Sequence, residues 1–402
     1  MTLAPPSLLL GTVTAQEIYQ IIFASFSFIL GAAIGSFLNV CIYRMPRSLS
    51  VNKPRRSFCP TCKYQIPWYS NLPLITWVVQ AGKCRNCRSP ISIRYFLVEL
   101  LTGVLFLACW WRANAFGVSG IGDFLLFFPW AIFVAMLVVA TFIDFEFFEI
   151  PDEITIWGTG VGIILSFALP QMHGQVMGSM NGHLMAGVWS MVGAAAGFAL
   201  LWLVSAVGKL AFGKKQKAFN DPVAFAWTRT KDEATLEVNG EKLQWIDLFT
   251  SEKDVLLLEC TRLEFKGVVK EHFELRSKYE TLEIDGVEHK LDEVDSFSGT
   301  LRKMSWKRDA MGFGDVKFIA CIGAFLGWKA VLFTVMAASV IGAVIGGVPL
   351  LFGKREWSAK IPFGPYLSLG ALLWMFTGPE LVNWYLAFAM PPPEPELRVP
   401  PL

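Results

Sequence analysis

Eight apolar runs, at about 18–43, 94–112, 121–143, 154–170, 184–208, 316–328, 329–351 and 363–390, divide the chain and limit its folding choices more than any other feature. A hydrocarbon layer roughly 30 Å deep is crossed by about 20 helical residues, and a span inside it must satisfy its own backbone polar groups. The runs meet or approach that length. The expected fold is therefore an all-α polytopic membrane protein with about eight transmembrane helices. The sixth run is short unless residues 311–315 join it or it tilts, and the last allows a break near Thr377-Gly378-Pro379. The first is too long for a signal peptide and no small-residue cleavage site follows it, which predicts a retained span. Small residues recur inside the runs, as at Gly31, Gly35 and Ser36 or Gly187, Gly193 and Gly197, a spacing that lets membrane helices approach backbone to backbone.

Charge placement sets the orientation. The total of 35 Lys and Arg against 33 Asp and Glu leaves a formal charge of +2, too balanced to predict a nucleic-acid partner. Between residues 44 and 94, however, ten side chains are basic and none is acidic. The positive-inside rule puts that loop in the cytoplasm and the N-terminus outside. Parity then returns the 144–153 loop, Lys209 with Lys214, Lys215 and Lys217, and Lys354, Arg355 and Lys360 to the same face. Residues 214–308 hold more than half of all charged residues, with strand-like stretches and turn signals at Asn239-Gly240 and Asp285-Gly286. They predict an inserted, small, β-rich soluble domain. His272 and His289 within it lack metal-ligand spacing and read as surface residues. The expected division is a first helix at 18–43, a tetracysteine loop at 44–93, a membrane block at 94–213, the insert at 214–308, a second membrane block at 309–390 and a Pro-rich tail at 391–402.

Four of the eight cysteines form two pairs, Cys59-Pro60-Thr61-Cys62 and Cys84-Arg85-Asn86-Cys87, inside the basic loop. Two such bites separated by twenty-one residues can close on one tetrahedral ion, and Zn2+ is the natural occupant. Four thiolates leave no open coordination position, so the expected role is to pin a loop with little core of its own. Iron, two disulfides or unliganded thiols are the alternatives.

Two acidic segments fall on the same predicted face. One is Thr141 to Asp152, containing Asp144, Glu149 and Asp152 around Ile150-Pro151; the other is Met311-Gly312-Phe313-Gly314-Asp315-Val316-Lys317, where Gly312 and Gly314 permit a tight turn. Ionisable groups beside hydrocarbon are costly and mark functional candidates. A carboxylate pair sharing one proton can activate water and polarise a peptide carbonyl, which suits peptide hydrolysis. The same residues also suit helix capping, a transporter or an ion-conducting site, or a membrane scaffold.

In order along the chain, Gly35-Ser36-Phe37-Leu38-Asn39-Val40 with Arg44 and Pro46, the two cysteine pairs, Asp144 with Ile150-Pro151-Asp152, Gly312-x-Gly314-Asp315-x-Lys317, and Ile361-Pro362-Phe363-Gly364-Pro365-Tyr366 resemble the motifs of the prepilin peptidase (type IV leader peptidase) family of membrane aspartic proteases. The resemblance covers roughly 18–213 and 309–376. It implies an aspartic endopeptidase of the bacterial inner membrane with its active site at the cytoplasmic face, Asp144 and Asp315 as catalytic pair, and Glu149, Asp152 and Lys317 shaping the site. The implied substrates are type IV prepilins or pseudopilins, cut after a short basic leader. Many members then methylate the new N-terminus from S-adenosylmethionine, and the cysteine loop is similar to that of bifunctional members. Pilus or type II secretion assembly proteins and membrane lipid are the implied partners. No residue is assigned to methyl transfer. The 214–308 insert departs from the family pattern, and so does Asp309, where Glu is usual.

Overall fold

The computed structural model describes residues 14–54, 56–67, 70–114, 121–175, 177–212, 214–229, 234–249, 254–265, 267–284, 286–307, 311–351 and 362–389. Lys354, Arg355, Lys360, Ile361, Asp285, Asp309 and the 391–402 tail lie outside the described residues. Two compact units make up the chain, one formed by Met1–Phe198 with Lys317–Leu402 and the other by Ala199–Val316.

The first unit is helical. Helix α1 (Ala15–Arg44) starts at a capping box in which the Thr14 hydroxyl accepts from Glu17 N–H and the Glu17 carboxylate accepts from Thr14 N–H. After the cysteine loop, which contains the short α2 (Ile75–Val79), come α3 (Ile93–Asn114), α4 (Ile121–Phe147) and α5 (Asp152–Ala168). The next helix, α6 (Met180–Phe212), leads into the second unit. The chain returns along α8 (Phe313–Leu326), followed by α9 (Trp328–Leu351) and α10 (Gly364–Ala389); α7 belongs to the second unit. Five stretches among the described residues are long and apolar enough to cross a membrane: Gln16–Arg47, Ile93–Asn114, Leu125–Phe147, Met180–Leu210 and Trp328–Gly346. The chain is thus a multi-pass membrane protein. Helices α5 and α8 have 17 and 14 residues, below the roughly 20 that a perpendicular crossing needs. Helix α10 runs unbroken through Pro379, so the break allowed at Thr377-Gly378-Pro379 does not form.

Small residues set the helix contacts. A Cβ placed on Gly193 would come 2.1 Å from the Gly323 carbonyl oxygen, and the Ser190 hydroxyl donates to the Ala324 carbonyl at 2.7 Å. Between membrane helices, where lipid is as apolar as leucine, such close backbone approach is what favours protein over lipid contact.

The second unit holds one eight-stranded antiparallel sheet in the order β3-β2-β1-β8-β4-β5-β6-β7. Its strands are β1 (Lys214–Arg229), β2 (Ala234–Val238), β3 (Glu241–Gln244), β4 (Val255–Phe265), β5 (Val268–Ser277), β6 (Thr281–Ile284), β7 (Val287–Lys290) and β8 (Ser296–Lys307), with α7 (Trp245–Leu248) after β3. Strands β1 and β8 pair side by side, with Thr228 opposite Ser296. Asn239 and Gly240 both take positive φ at the β2–β3 turn, the geometry a two-residue hairpin of this twist demands. Leu236, Leu258, Leu275, Leu282 and Leu301 are fully buried in its core with Trp227 and Trp245. The segments Thr235-Leu236-Glu237-Val238-Asn239-Gly240 and Thr281-Leu282-Glu283-Ile284-Asp285-Gly286 are near copies, and their hairpins occupy opposite ends of the sheet. Of the two histidines, His272 is exposed and His289 lies against the Phe265 ring.

Candidate active site

Asp144 sits one turn from the end of α4 and is 5% exposed. Helix α4 stops because Phe148 adopts a left-handed φ of 56° while its N–H still reaches the Asp144 carbonyl. Ile150 then turns inward, Pro151 supplies the N-cap backbone of α5, and Asp152 and Glu153 occupy that helix's first turn, where negative charge suits the dipole.

The Asp144 carboxylate is held by a residue 220 positions away. Gly364 N–H, at the start of α10, donates to Asp144 Oδ2 at 2.8 Å. The first amides of a helix lack internal partners, so this one satisfies itself on a buried carboxylate. Farther along, the Ser368 hydroxyl reaches the Leu137 carbonyl, seating α10 against α4. A Cβ on Gly364 would fall 2.8 Å from Asp144 Oδ2 and 2.9 Å from Ile150 Cδ1. Gly364→Ala is therefore expected to shift the carboxylate by a few tenths of an ångström or more and to lower any reaction that depends on it by about 10- to 100-fold. Rates matching the parent protein would remove Asp144 from the chemistry or show the contact to be tolerant.

Asp315 lies in the first turn of α8, with its N–H bonded to the Gly312 carbonyl. Gly312 is exposed and Gly314 half-buried at the entry to that helix. Two residues after Asp315, Lys317 forms an ion pair with Asp152 at the start of α5. Glu149 is exposed between α4 and α5. Arg94 and Glu146 make a second ion pair, from the start of α3 to the end of α4.

In the cysteine loop, Cys59, Cys62, Cys84 and Cys87 place their four sulfurs within 4.8 Å of one another. The two bites fold alike. Lys63 N–H donates to the Cys59 carbonyl and Arg88 N–H to the Cys84 carbonyl, both donors at positive φ, and the bridges Phe58–Gln65 and Lys83–Pro90 close the two turns. A tetrahedral ion with metal–sulfur bonds of about 2.3 Å needs sulfurs roughly 3.8 Å apart, and Cys59 and Cys87 lie at 3.9 Å. Burial raises the Cys59 thiol. Hydrogen bonds from the Cys62 and Thr61 backbone and from the Ser89 and Cys62 side chains outweigh it and bring the pKa down to about 6, toward the thiolate a metal requires. The cluster can hold a metal ion. A larger cavity of about 610 Å³ lies elsewhere in this unit, between Arg112, Trp130, His173 and Trp374, and none of the residues predicted for chemistry lines it.

The carboxylate buried at the end of α4 and the four-thiol loop are the two features of this membrane protein that suit chemistry and metal binding. Two sequence families account for more than half of the chain: the Bacterial Peptidase A24 N-terminal domain matches residues 29–113, and the Type IV leader peptidase family matches 131–215 and 296–347. The gap in the second match coincides with most of the sheet. A prepilin leader peptidase/N-methyltransferase of Myxococcus xanthus is 29% identical over 92% of this chain and 77% of its own length. The protein of that name from Aeromonas hydrophila is 26% identical over 91% and 94%, and the one from Neisseria gonorrhoeae is 33% identical over 46% and 66%. No solved structure matches. The chain belongs to the type IV leader peptidase family.

Motif spacing alone does not reveal that Gly364 is the donor to Asp144, nor that Asn39 and Glu99 are buried beside the cysteine loop. For Glu99 the signal was present: an acid within an apolar run is costly and calls for a reason.

Proposed function

We propose that the protein is a prepilin leader peptidase that cuts type IV prepilins or pseudopilins with the Asp144 and Asp315 carboxyl groups and then methylates the new N-terminus from S-adenosylmethionine. The observation that carries the reading is the buried Asp144 carboxylate, oriented by Gly364 N–H at the closing motif of the family. In this mechanism one aspartate is ionised and takes a proton from water, while its protonated partner hydrogen-bonds the scissile carbonyl; two nearby carboxyls divide in this way because both cannot easily be charged together. The Gly364 amide occupies one oxygen of Asp144 and thereby aims the other. Gly312 and Gly314 shape the entry of α8 that carries Asp315, and Glu149, Asp152 and Lys317 support the site from its margin.

In this reading all eight long apolar segments cross a bacterial inner membrane, with the cysteine loop, the sheet and both aspartates at the cytoplasmic face, where a basic leader would arrive ahead of its apolar helix. The four cysteines hold a structural Zn2+, the ion favoured by an all-thiolate tetrahedron, and the metal takes no part in hydrolysis. Pilus or type II secretion assembly proteins are the expected partners in the membrane.

The deciding assay is a purified prepilin incubated with the protein in detergent or liposomes, with the mass of the N-terminus read with and without S-adenosylmethionine. Leader loss in both cases and a methyl increment only with the donor are expected; an uncut precursor would overturn the proposal. The Asp152–Lys317 pair is more marginal, Asp152 being 58% exposed. Pairs at that exposure contribute about 0–1 kcal/mol, so Asp152→Asn is expected to cost less than about tenfold in cleavage. Complete loss there, with a tolerant Asp144, would move the first catalytic role to Asp152.

A further inference from the structure

Two of the helices stop short, and a cavity opens where they end. At about 1.5 Å per residue, the 14 residues of α8 and the 17 of α5 rise about 21 and 25 Å, less than the roughly 30 Å of a hydrocarbon layer. The recess they leave is the cavity of about 610 Å³, lined by the 171–174 turn after α5, the 326–329 turn between α8 and α9, and Trp130. Trp130 stands about 21 Å along α4 from Asp144, so the cavity lies at the opposite end of that helix. Gly327, at φ 82°, is the single residue between α8 and α9, and the start of α9, whose first amides lack partners within the helix, forms part of the wall. The wall is also cationic. Lys329 is exposed, with its Nζ 5.9 Å from the Trp328 ring centre, and Arg112 is fixed by an Nε–H bond to the Met375 carbonyl at 2.9 Å. Glu380 acts on Arg112 and offsets one of the two charges. With the partial charge of a helix start, about one to one and a half positive units remain, a match for one phosphodiester. Two polar atoms of lining residues have no hydrogen-bond partner among the described residues: the indole N–H of Trp130, which is 3% exposed, and Gln171 Oε1. The first suits a phosphate oxygen and the second a headgroup hydroxyl or ammonium.

We infer that this cavity binds one glycerophospholipid of the outer leaflet, with its phosphodiester at Lys329, Arg112 and the start of α9 and its acyl chains along the neighbouring apolar helix faces. The inference goes beyond cleavage and methyl transfer and takes from the proposed function only the orientation of the spans. Trp189, Trp328 and Trp374 border the cavity, and indole rings favour the headgroup level of a bilayer. Basic pockets between membrane helices are a recurrent form of headgroup site. The volume suits a headgroup with its glycerol, since pockets for bound small molecules span roughly 300–1,000 Å³. The ligand gives the turns at membrane depth the polar partners that hydrocarbon cannot. It thereby seats the far ends of the two helices whose near ends carry Asp152 and Asp315.

The test uses the full chain, stripped of lipid in a maltoside detergent and titrated with dioleoylphosphatidylglycerol, dioleoylphosphatidylcholine or glycerophosphoglycerol, the first headgroup without its chains. Native mass spectrometry counts bound lipid, and a photoactivatable phosphatidylglycerol is cross-linked and mapped by peptide mass. One phosphatidylglycerol per chain is expected, held more tightly than phosphatidylcholine, whose headgroup has no donor for Gln171. Cross-links should fall on the cavity segments 171–174, 326–329 and 374–379. Lys329→Gln should raise the Kd about tenfold or more, the loss of one hydrogen bond to a charged group. Arg112→Gln should act in the same direction; because Arg112 also holds the Met375 carbonyl, its melting temperature is compared with that of the parent protein, and Lys329→Gln decides if it does not fold. Cross-links spread evenly over the lipid-facing helices, equal affinity for phosphatidylcholine, or an unchanged Kd in Lys329→Gln would overturn the site. Displacement of the lipid by an equal concentration of glycerophosphoglycerol would assign the cavity to a soluble phosphodiester and overturn the lipid as its occupant.

Discussion

Asp144→Asn and Asp315→Asn are each expected to lower leader cleavage by about 10³-fold or more, in line with the loss of a positioned acid or base, while the protein remains inserted in the membrane. Asparagine at 144 still offers an oxygen to Gly364 N–H, so the contact between α4 and α10 survives and only the ionisable group is lost. In the proposed mechanism the two carboxyls act as a unit. The double variant should consequently be about as impaired as either single one, far from the product of the two losses. The measurement is single-turnover cleavage of a purified prepilin, with insertion followed by alkali extraction. Normal cleavage by either variant would refute the pair.

Removing the proposed metal should have the second largest effect. Between 56 and 92 the described residues hold two isolated bridges and a short helix, with Cys59, Ser70, Gly82 and Cys84 buried. Such a segment has little apolar area to offset its chain entropy. A structural zinc site supplies about 10–16 kcal/mol in comparable small domains, more than this loop's own packing can. Chelation or Cys84→Ser is expected to make the loop open to protease and to release the ion. Protein carefully purified with far less than one ion per chain, and with the loop still resistant, would remove the metal from the account.

Part of this was open to reading along the chain. The membrane class followed from run length, because lipid imposes one rule on every span, and the cysteine spacing pointed to a metal-sized cluster because two-residue bites have a narrow geometric range. Other features were not. The hairpin at Asn239-Gly240 is a local signal and was visible, yet the pairing of β1 with β8 across the whole insert and the near-repeat at the two ends of the sheet were not, since strand order is set by packing among distant segments. The unbroken α10 likewise overrode a Gly-Pro signal that a shorter helix would have obeyed, Pro and Gly being tolerated where neighbouring helices re-satisfy the backbone.

The amino-acid order by itself determined the apolar spans, the thiol pairs and the candidate carboxylates, all properties of residue type and near spacing. Only the tertiary structure decided that Gly364 holds Asp144 and that Asn39 and Glu99 face one cavity beneath the cysteine loop. The reason is physical: a hydrogen bond between residues 220 apart leaves no trace in local periodicity, and its partners become definite only once the helices have packed.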